Sequence, residues 1–197
     1  ACRTPGSLHS LRTADLRFIP DYTRLLGVVD KESNVNKPCL SDPAYRRSLY
    51  EKIERSINNG LQFDVFAHLL GDEFAFANGD LPGACNSRSC ISSFRKYLHD
   101  QYETIDHLND QWGRSYASFS DIVPITDRQQ EVLAEAEESG NYSPLIDNWL
   151  FNYLVFTDTI RFCARAQKEL DPLSRLGVTT PLWNMYYRAY DWASIMP

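Results

Sequence analysis

The sequence predicts an α/β fold in which short parallel strands alternate with the helices that cover them. Apolar runs of strand length occur at residues 16–19, 63–70 and 175–180. Between them lie longer segments whose apolar side chains recur at helical spacing. Strands that alternate with helices in this way typically form a parallel sheet, and the chain holds about three such βα units.

The first half of the chain begins with the strand predicted at residues 16–19, which ends at a Pro-Asp pair. Residues 30–36 are mostly polar, so we expect a loop there. Either Ser41 or Asp42 can cap a helix, and Pro43 suits its first turn. The face and the end of this helix are marked by Tyr45, Leu49, Ile53, Ile57 and the Asn-Gly pair at residues 59–60.

The second half begins with the strand predicted at residues 63–70 and continues mainly through helices. An apolar face predicts a helix at residues 91–102, and two shorter, more solvated helices are predicted at 105–112 and 128–138. The longest helix, at residues 144–170, starts with a proline and ends before an Asp-Pro pair. A last helix is predicted at residues 187–195.

Composition and charge exclude several classes of protein. The net charge is -6 and the pI is about 5.2, so the chain has no basic stripe with which to bind a nucleic acid. No run of about 18 apolar residues is present, which argues against a membrane span. No repeat or linker divides the sequence, so residues 1–197 are interpreted as one domain. The five cysteines are irregularly spaced, unlike a secreted disulfide framework.

Two adjacent carboxylates, Asp72 and Glu73, follow the strand predicted at residues 63–70. In barrel enzymes, catalytic side chains lie at the C-terminal ends of the parallel strands. The neighbouring residues are largely aromatic or aliphatic, and burial among them would raise the pKa of a carboxyl group, as a general acid requires near neutral pH. The alternative is that Asp72 caps a turn and Glu73 is a solvated loop residue.

A series of motifs runs through most of the chain. KPCLSDPAYR, HLLGDEFAF, CNSRSCISSFRKYL and IDHLNDQWGRSYASFSDI occur in this order, followed by NYSPLIDNWLFNYLVF, GVTTP and YDWASIM. Together they resemble glycoside hydrolase family 42, which comprises β-galactosidase-type barrels. The resemblance covers residues 38–196 and implies a partial (β/α)8 TIM barrel. A complete barrel needs eight units and roughly 250 residues, so we expect a fragment truncated at both ends.

The resemblance implies a retaining glycosidase whose acid/base carboxylate is Glu73. The family's usual asparagine before it is Asp72 here, and an ionised aspartate accepts hydrogen bonds where an amide donates them. This difference puts galactosidase specificity in doubt. The family takes its nucleophile, roughly 5 Å from the acid/base, from a later strand. No residue of this chain is assigned that role, so we expect the fragment alone to be inactive. Catalysis is expected to need no cofactor.

Three cysteines match a cysteine cluster of the same family. Cys85 and Cys90 match its cysteine-rich loop, and Cys39 matches an earlier member, whereas Ser87 stands where a third loop cysteine would be. Family members with the full set hold a structural zinc on four thiolates. Three thiolates and one further ligand can also hold zinc. A disulfide, or three reduced thiols, are the alternatives. Cys163 lies on the apolar face of the longest predicted helix and is expected in the core.

Several further side chains are candidates for binding a sugar. Trp183 and Asn184 follow the third predicted strand and Asp21 follows the first, so we expect all three at the barrel mouth near Glu73. The indole of Trp183 can stack on the apolar face of a sugar, or it can pack beneath a loop. His68, within the second strand, is expected to be a core histidine.

The expected partner is therefore a carbohydrate substrate, and a homo-oligomer is compatible with the sequence. Two other functions stay open for the intact protein. It can be a non-catalytic barrel that binds carbohydrate, or a structural or assembly domain with a vestigial site. A strand-end glutamate in the remaining part of the barrel would distinguish the enzyme from both alternatives.

Overall fold

Helices make up most of the described chain. The computed structural model describes residue 19 and residues 28–30, 35–37, 39–60, 65–70, 85–125 and 129–178. The elements are β1 (Val28–Asp30), β2 (Val35–Lys37), α1 (Pro43–Gly60), β3 (Ala67–Leu69), α2 (Arg88–Tyr102), α3 (Ile105–Trp112), a 3-10 helix (Phe119–Asp121), α4 (Gln129–Ser139), α5 (Ser143–Leu170) and β4 (Arg175–Gly177). Within these residues, no helix has the length and apolarity needed to cross a membrane.

Strands β3 and β4 form a parallel pair, as predicted for residues 63–70 and 175–180. Ala67 pairs with Arg175, and Leu69 pairs with Gly177. The Leu70 amide extends the pairing by donating to the Gly177 carbonyl at 3.1 Å. The described strands are shorter than predicted. The predicted strand at residues 16–19 lies outside the described residues except for Ile19, so the count of three βα units stays a prediction.

The polar loop predicted at residues 30–36 is wrong at both of its ends. β1 and β2 pair antiparallel there, with Val29 opposite Asn36 and Asp30 opposite Val35. The valines explain the difference, because β-branched side chains favour extended backbone. The polar residues between the valines had indicated a loop, but the strand preference of the valines prevails at both ends of the segment.

The predicted helices within the described residues are confirmed. At the start of α1, the Asp42 carboxylate accepts a hydrogen bond from the Ala44 amide at 2.9 Å, and Pro43 occupies the first turn. α3 begins at Thr104, which caps the His107 amide, and ends at Gly113 with a φ of 63°. The helix predicted at residues 187–195 lies outside the described residues.

The longest helix, α5, separates two hydrophobic cores. One side packs against α1 and β3, and we call this cluster the α1-side core: Leu40, Leu49, Ile53, Ile57, Leu70, Phe156, Ile160, Cys163 and Ala166. The opposite side packs against α2 and α3 in the α2-side core: Cys85, Cys90, Phe94, Leu98, Leu108, Trp112, Ile122 and Phe151. With 28 residues, α5 extends about 42 Å and so reaches both. Cys163 is buried, as predicted.

A charged pair ties the α1 side together at the surface. The Arg46 guanidinium, on α1, donates to the Asp158 carboxylate, on α5, at 2.6 Å. The same guanidinium lies 5.8 Å from the centre of the Phe162 ring. Because both charged side chains are partly exposed, we expect this pair to fix the helix alignment more than it adds to stability.

A buried carboxylate, Asp147, joins three helices on the other side of α5. Its Oδ2 atom accepts hydrogen bonds from Trp112 Nε1 at 2.7 Å and from the Tyr102 hydroxyl at 2.5 Å. The Tyr97 hydroxyl lies 3.5 Å from Oδ1. Burial, with the nearby carboxylate, raises the pKa of Tyr97 to about 12 and raises that of Tyr102 as well, so both phenols stay protonated and able to donate.

We predict that Asp147→Asn destabilises the protein by about 2–4 kcal/mol. The hydrogen bonds to a carboxylate would be replaced by weaker bonds to a neutral amide. The new NH2 group would also point at side chains that are themselves hydrogen-bond donors. Urea unfolding followed by far-UV circular dichroism measures the change. Asp106→Asn, at an exposed position on α3, is the matched control. A loss below 0.5 kcal/mol, on the order of a surface substitution, would show that Asp147 does not hold the three helices.

Candidate active site and cysteine cluster

The carboxyl ends of β3 and β4 lie side by side at one edge of the parallel sheet. The bond from the Leu70 amide to the Gly177 carbonyl fixes this alignment. The two strands therefore end on the same side of the sheet, which is where α/β enzymes place their catalytic groups. Close packing accompanies the pairing, since a Cβ atom on Gly177 would lie 2.8 Å from Leu69 Cδ2.

The residues predicted to act on a sugar lie next to this edge in the sequence. Asp72 and Glu73 come soon after Leu70. They lie outside the described residues, as do the other predicted sugar-binding side chains: Asp21, Trp183 and Asn184. Their roles accordingly stay predictions.

His68 lies within β3 and is a core residue, as predicted. Its side chain is 1% exposed, and its Nε2 atom lies 3.2 Å from the Asp171 carboxylate at the end of α5. Burial lowers the pKa of His68 despite that carboxylate. Burial alone would raise the pKa of Asp171, but hydrogen bonds from Ser174 and His68 lower it overall. A neutral imidazole therefore donates to an ionised carboxylate.

The turn between α5 and β4 is fixed by the same network. The Ser174 amide donates to Asp171 Oδ1 at 3.3 Å. The Gln167 side-chain amide, which is buried, donates to the Asp171 carbonyl at 2.9 Å and to the Ser174 hydroxyl at 2.6 Å. β4 therefore starts from a turn that is bonded both to α5 and to β3.

Cys39, Cys85 and Cys90 converge around Ser87. The Ser87 hydroxyl donates to Cys39 Sγ at 2.9 Å and lies 3.2 Å from Cys85 Sγ. The same oxygen accepts a hydrogen bond from the Cys90 amide at 3.2 Å, and so caps α2. All three cysteines are free thiols. None of the three possible disulfides within this group is formed.

The environments of Cys39 and Cys85 favour the neutral thiol. A hydrogen bond with Cys85 and burial raise the pKa of Cys39. The bond with Cys39 lowers the pKa of Cys85, but contact with Cys90 and burial outweigh it, so the pKa of Cys85 is raised as well. Within the described parts of the chain, no group of three or more His, Cys, Asp or Glu side chains is arranged to hold a metal ion.

Sequence reasoning missed two of these polar centres. Ser87 was interpreted only as the replacement for a cysteine. A serine directly before a helix is also a recognisable capping signal, and Ser87 is the N-cap of α2. Asp147 gives no such local signal. Its partners, Tyr97, Tyr102 and Trp112, are 35 to 50 residues away in sequence.

The chain was compared with known families and proteins. The model of glycoside hydrolase family 42, described as "Beta-galactosidase", matches residues 23–196. No curated protein matches the chain.

Several solved structures share the fold. The β-galactosidase from the haloarchaeon Halorubrum lacusprofundi is 24% identical with a TM-score of 0.57, over 77% of this chain and 22% of that one. The β-galactosidase from Rahnella sp. R3 is 20% identical with a TM-score of 0.60, over 80% and 21%. An exo-carrageenase of family 42 from Bacteroides ovatus is 20% identical with a TM-score of 0.59, over 79% and 22%. The chain thus spans about a fifth of the length of these proteins.

We predict that acid destabilises the protein in two stages. Burial lowers the pKa of His68 in the folded protein. As the pH falls below about 6.5, the imidazole is therefore protonated in the unfolded chain before it is protonated in the folded one. This contribution is fully present above that pH and is lost below it. The lowered pKa of Asp171 adds a second loss below about pH 4, as the unfolded carboxyl group is protonated first.

The measurement is the free energy of unfolding in urea at intervals from about pH 8 to about pH 2, so that both stages are covered. His68→Gln keeps an amide donor for Asp171 but cannot titrate, so its stability should vary less between about pH 6.5 and 5. His99→Gln, at an exposed position on α2, is the control. Equal slopes for the wild type and His68→Gln would contradict the assignment.

Proposed function

Because the chain belongs to glycoside hydrolase family 42, the family of β-galactosidase-type enzymes, we propose that the intact protein hydrolyses O-glycosidic bonds with retention of configuration. The family implies a (β/α)8 barrel, and the chain accounts for part of one. The parallel pairing of β3 with β4 carries the proposal. It provides the kind of strand-end edge on which barrel enzymes build their active sites.

Glu73 is the proposed acid/base. It follows Leu70, the buried residue that continues β3, by three positions in the sequence. In the first step, its carboxylic acid protonates the leaving glycosidic oxygen while a second carboxylate attacks the anomeric carbon. In the second step, the Glu73 carboxylate removes a proton from the water that hydrolyses the glycosyl-enzyme. Each turnover thus returns Glu73 to its protonated form.

The nucleophile is assigned to no residue of this sequence. A retaining mechanism places it roughly 5 Å from the acid/base, and in the family it comes from a later strand. The matched part of this chain covers only 22% and 21% of the two β-galactosidases named above. The proposed reaction therefore belongs to the intact protein, and the present chain supplies one of its two carboxylates.

The proposed substrate is a β-galactoside or a related hexoside. Both β-galactosidases and an exo-carrageenase share the fold, so the fold does not select among these sugars. Asp72 supports a departure from the usual specificity, because an ionised carboxylate accepts a hydrogen bond from a sugar hydroxyl and cannot donate one. Trp183 is the proposed stacking platform for the sugar ring, with Asn184 and Asp21 as polar partners.

We predict that Glu73→Gln in the intact protein slows hydrolysis of an unactivated glycoside by about 10²–10⁴-fold, because proton transfer to the leaving oxygen is lost. An aryl glycoside with an acidic phenol needs no such proton, so its glycosylation step should be slowed far less. Azide should raise the turnover of this variant by attacking the glycosyl-enzyme without a general base. Steady-state kinetics with and without azide, and identification of a glycosyl azide product, test these expectations.

Glu51→Gln, an equivalent change at an exposed position on α1, is the matched control and should retain wild-type kinetics. Wild-type hydrolysis of an unactivated glycoside by Glu73→Gln would refute the assignment, and Asp72 would be the next candidate. Sugar binding by an intact protein that cleaves none of the glycosides tested would favour a non-catalytic barrel instead.

A further inference from the structure

The Ser87 hydroxyl uses its full hydrogen-bonding capacity within the cysteine cluster. A hydroxyl has one hydrogen to donate and two lone pairs that accept. Its hydrogen is directed to Cys39 Sγ, and one lone pair accepts from the Cys90 amide. The contact with Cys85 Sγ at 3.2 Å is then one in which the thiol donates. No lone pair of the hydroxyl is left for another ligand.

These bonds join two segments of chain that are far apart in sequence. Cys39 lies just ahead of α1, Cys85 lies ahead of α2, and Cys90 is in the first turn of α2. Cys85 and Cys90 are 4% and 2% exposed and belong to the α2-side core. Ser87 therefore holds the start of α2 against the segment that leads into α1. Without it, the first turn of α2 would lose its cap as well as its contact with Cys39.

This arrangement differs from what a zinc ion needs. Structural zinc takes four ligands in a tetrahedron, with each thiolate about 2.3 Å from the metal. Here the fourth position is a serine hydroxyl, which is already bonded to Cys39 Sγ and to the Cys90 amide. Among the residues that the structure describes, no group of three or more His, Cys, Asp or Glu side chains is arranged to hold a metal ion. For Ser87 to become a ligand, it would have to release the Cys90 amide and leave the end of α2 uncapped.

We propose that Cys39, Cys85, Cys90 and Ser87 form a metal-independent clasp, in which the Ser87 hydroxyl bonds to the cysteines in place of the zinc that the family resemblance implies. The clasp performs the task of a structural metal, because it fixes two chain segments to the start of a helix. It does so without a dependence on metal supply. The one position that separates it from a four-cysteine site is residue 87.

Two measurements on the purified intact protein test the proposal. The first is zinc content, by elemental analysis after dialysis, with the zinc-to-protein ratio corrected for a blank. The second is the melting temperature with and without EDTA. For the wild type, we expect no bound zinc in the cluster and the same melting temperature in both buffers. Zinc bound in about a one-to-one ratio, together with a melting temperature that falls in EDTA, would overturn the proposal.

Ser87→Cys supplies the fourth thiolate and should convert the clasp into a metal site. We expect this variant, refolded with zinc, to bind about one additional ion per chain and to melt at a lower temperature in EDTA. Thr104→Cys adds a thiol at another helix cap, away from these cysteines in sequence, and is the matched control. If Ser87→Cys bound no more zinc than Thr104→Cys, the proposal that residue 87 decides between metal and clasp would fail.

Ser87→Ala keeps the proposal testable if Ser87→Cys does not fold. The alanine removes all three hydrogen bonds and adds no ligand, so the melting temperature should fall by the same amount with zinc and with EDTA. A loss of stability seen only in the presence of zinc, which vanished in EDTA, would mean that Ser87 acts through a metal, and the clasp would be refuted.

Discussion

The buried carboxylate of Asp147 constrains how α2, α3 and α5 are arranged. A charge removed from water costs several kcal/mol unless hydrogen bonds replace its hydration. Those bonds come from Trp112 on α3 and from two tyrosines on α2. α2 and α3 must therefore meet at the start of α5. Once they do, the α2-side core closes, and the far side of α5 is free to pack against α1 and β3.

The two ends of α5 serve different purposes. Near its start, Asp147 orders the helices that carry Cys90 and the Ser87 cap. After its end, Asp171 accepts from His68 and so connects the helix to the parallel sheet. A catalytic group beyond that sheet edge needs a rigid support, since a displacement of about 1 Å can cost 10²-fold in rate. One helix thus links the cysteine clasp to the strands that precede the proposed acid/base.

Local sequence patterns predicted the helices well, because helical spacing of apolar residues and capping signals are properties of adjacent residues. Ile53 and Phe94 are both fully buried, on the faces that their spacing indicated. The β1–β2 pair was not predicted, because the segment contains only three valines, Val28, Val29 and Val35, among mostly polar residues. Spacing alone did not identify Glu73 as the acid/base. That assignment came from a family motif, whereas the role of Asp147 depends on partners that only the folded chain brings near.

The position of α5 between two cores has a kinetic consequence. The contacts of Asp147 close loops of 35 to 50 residues. The Arg46–Asp158 and His68–Asp171 contacts close loops of 112 and 103 residues. Loop closure of the longer kind costs about 1 kcal/mol more in chain entropy. We therefore expect the folding nucleus to contain α2, α3 and the first half of α5, with the sheet edge added late, so that the part of the barrel nearest the proposed chemistry is also the last to be ordered.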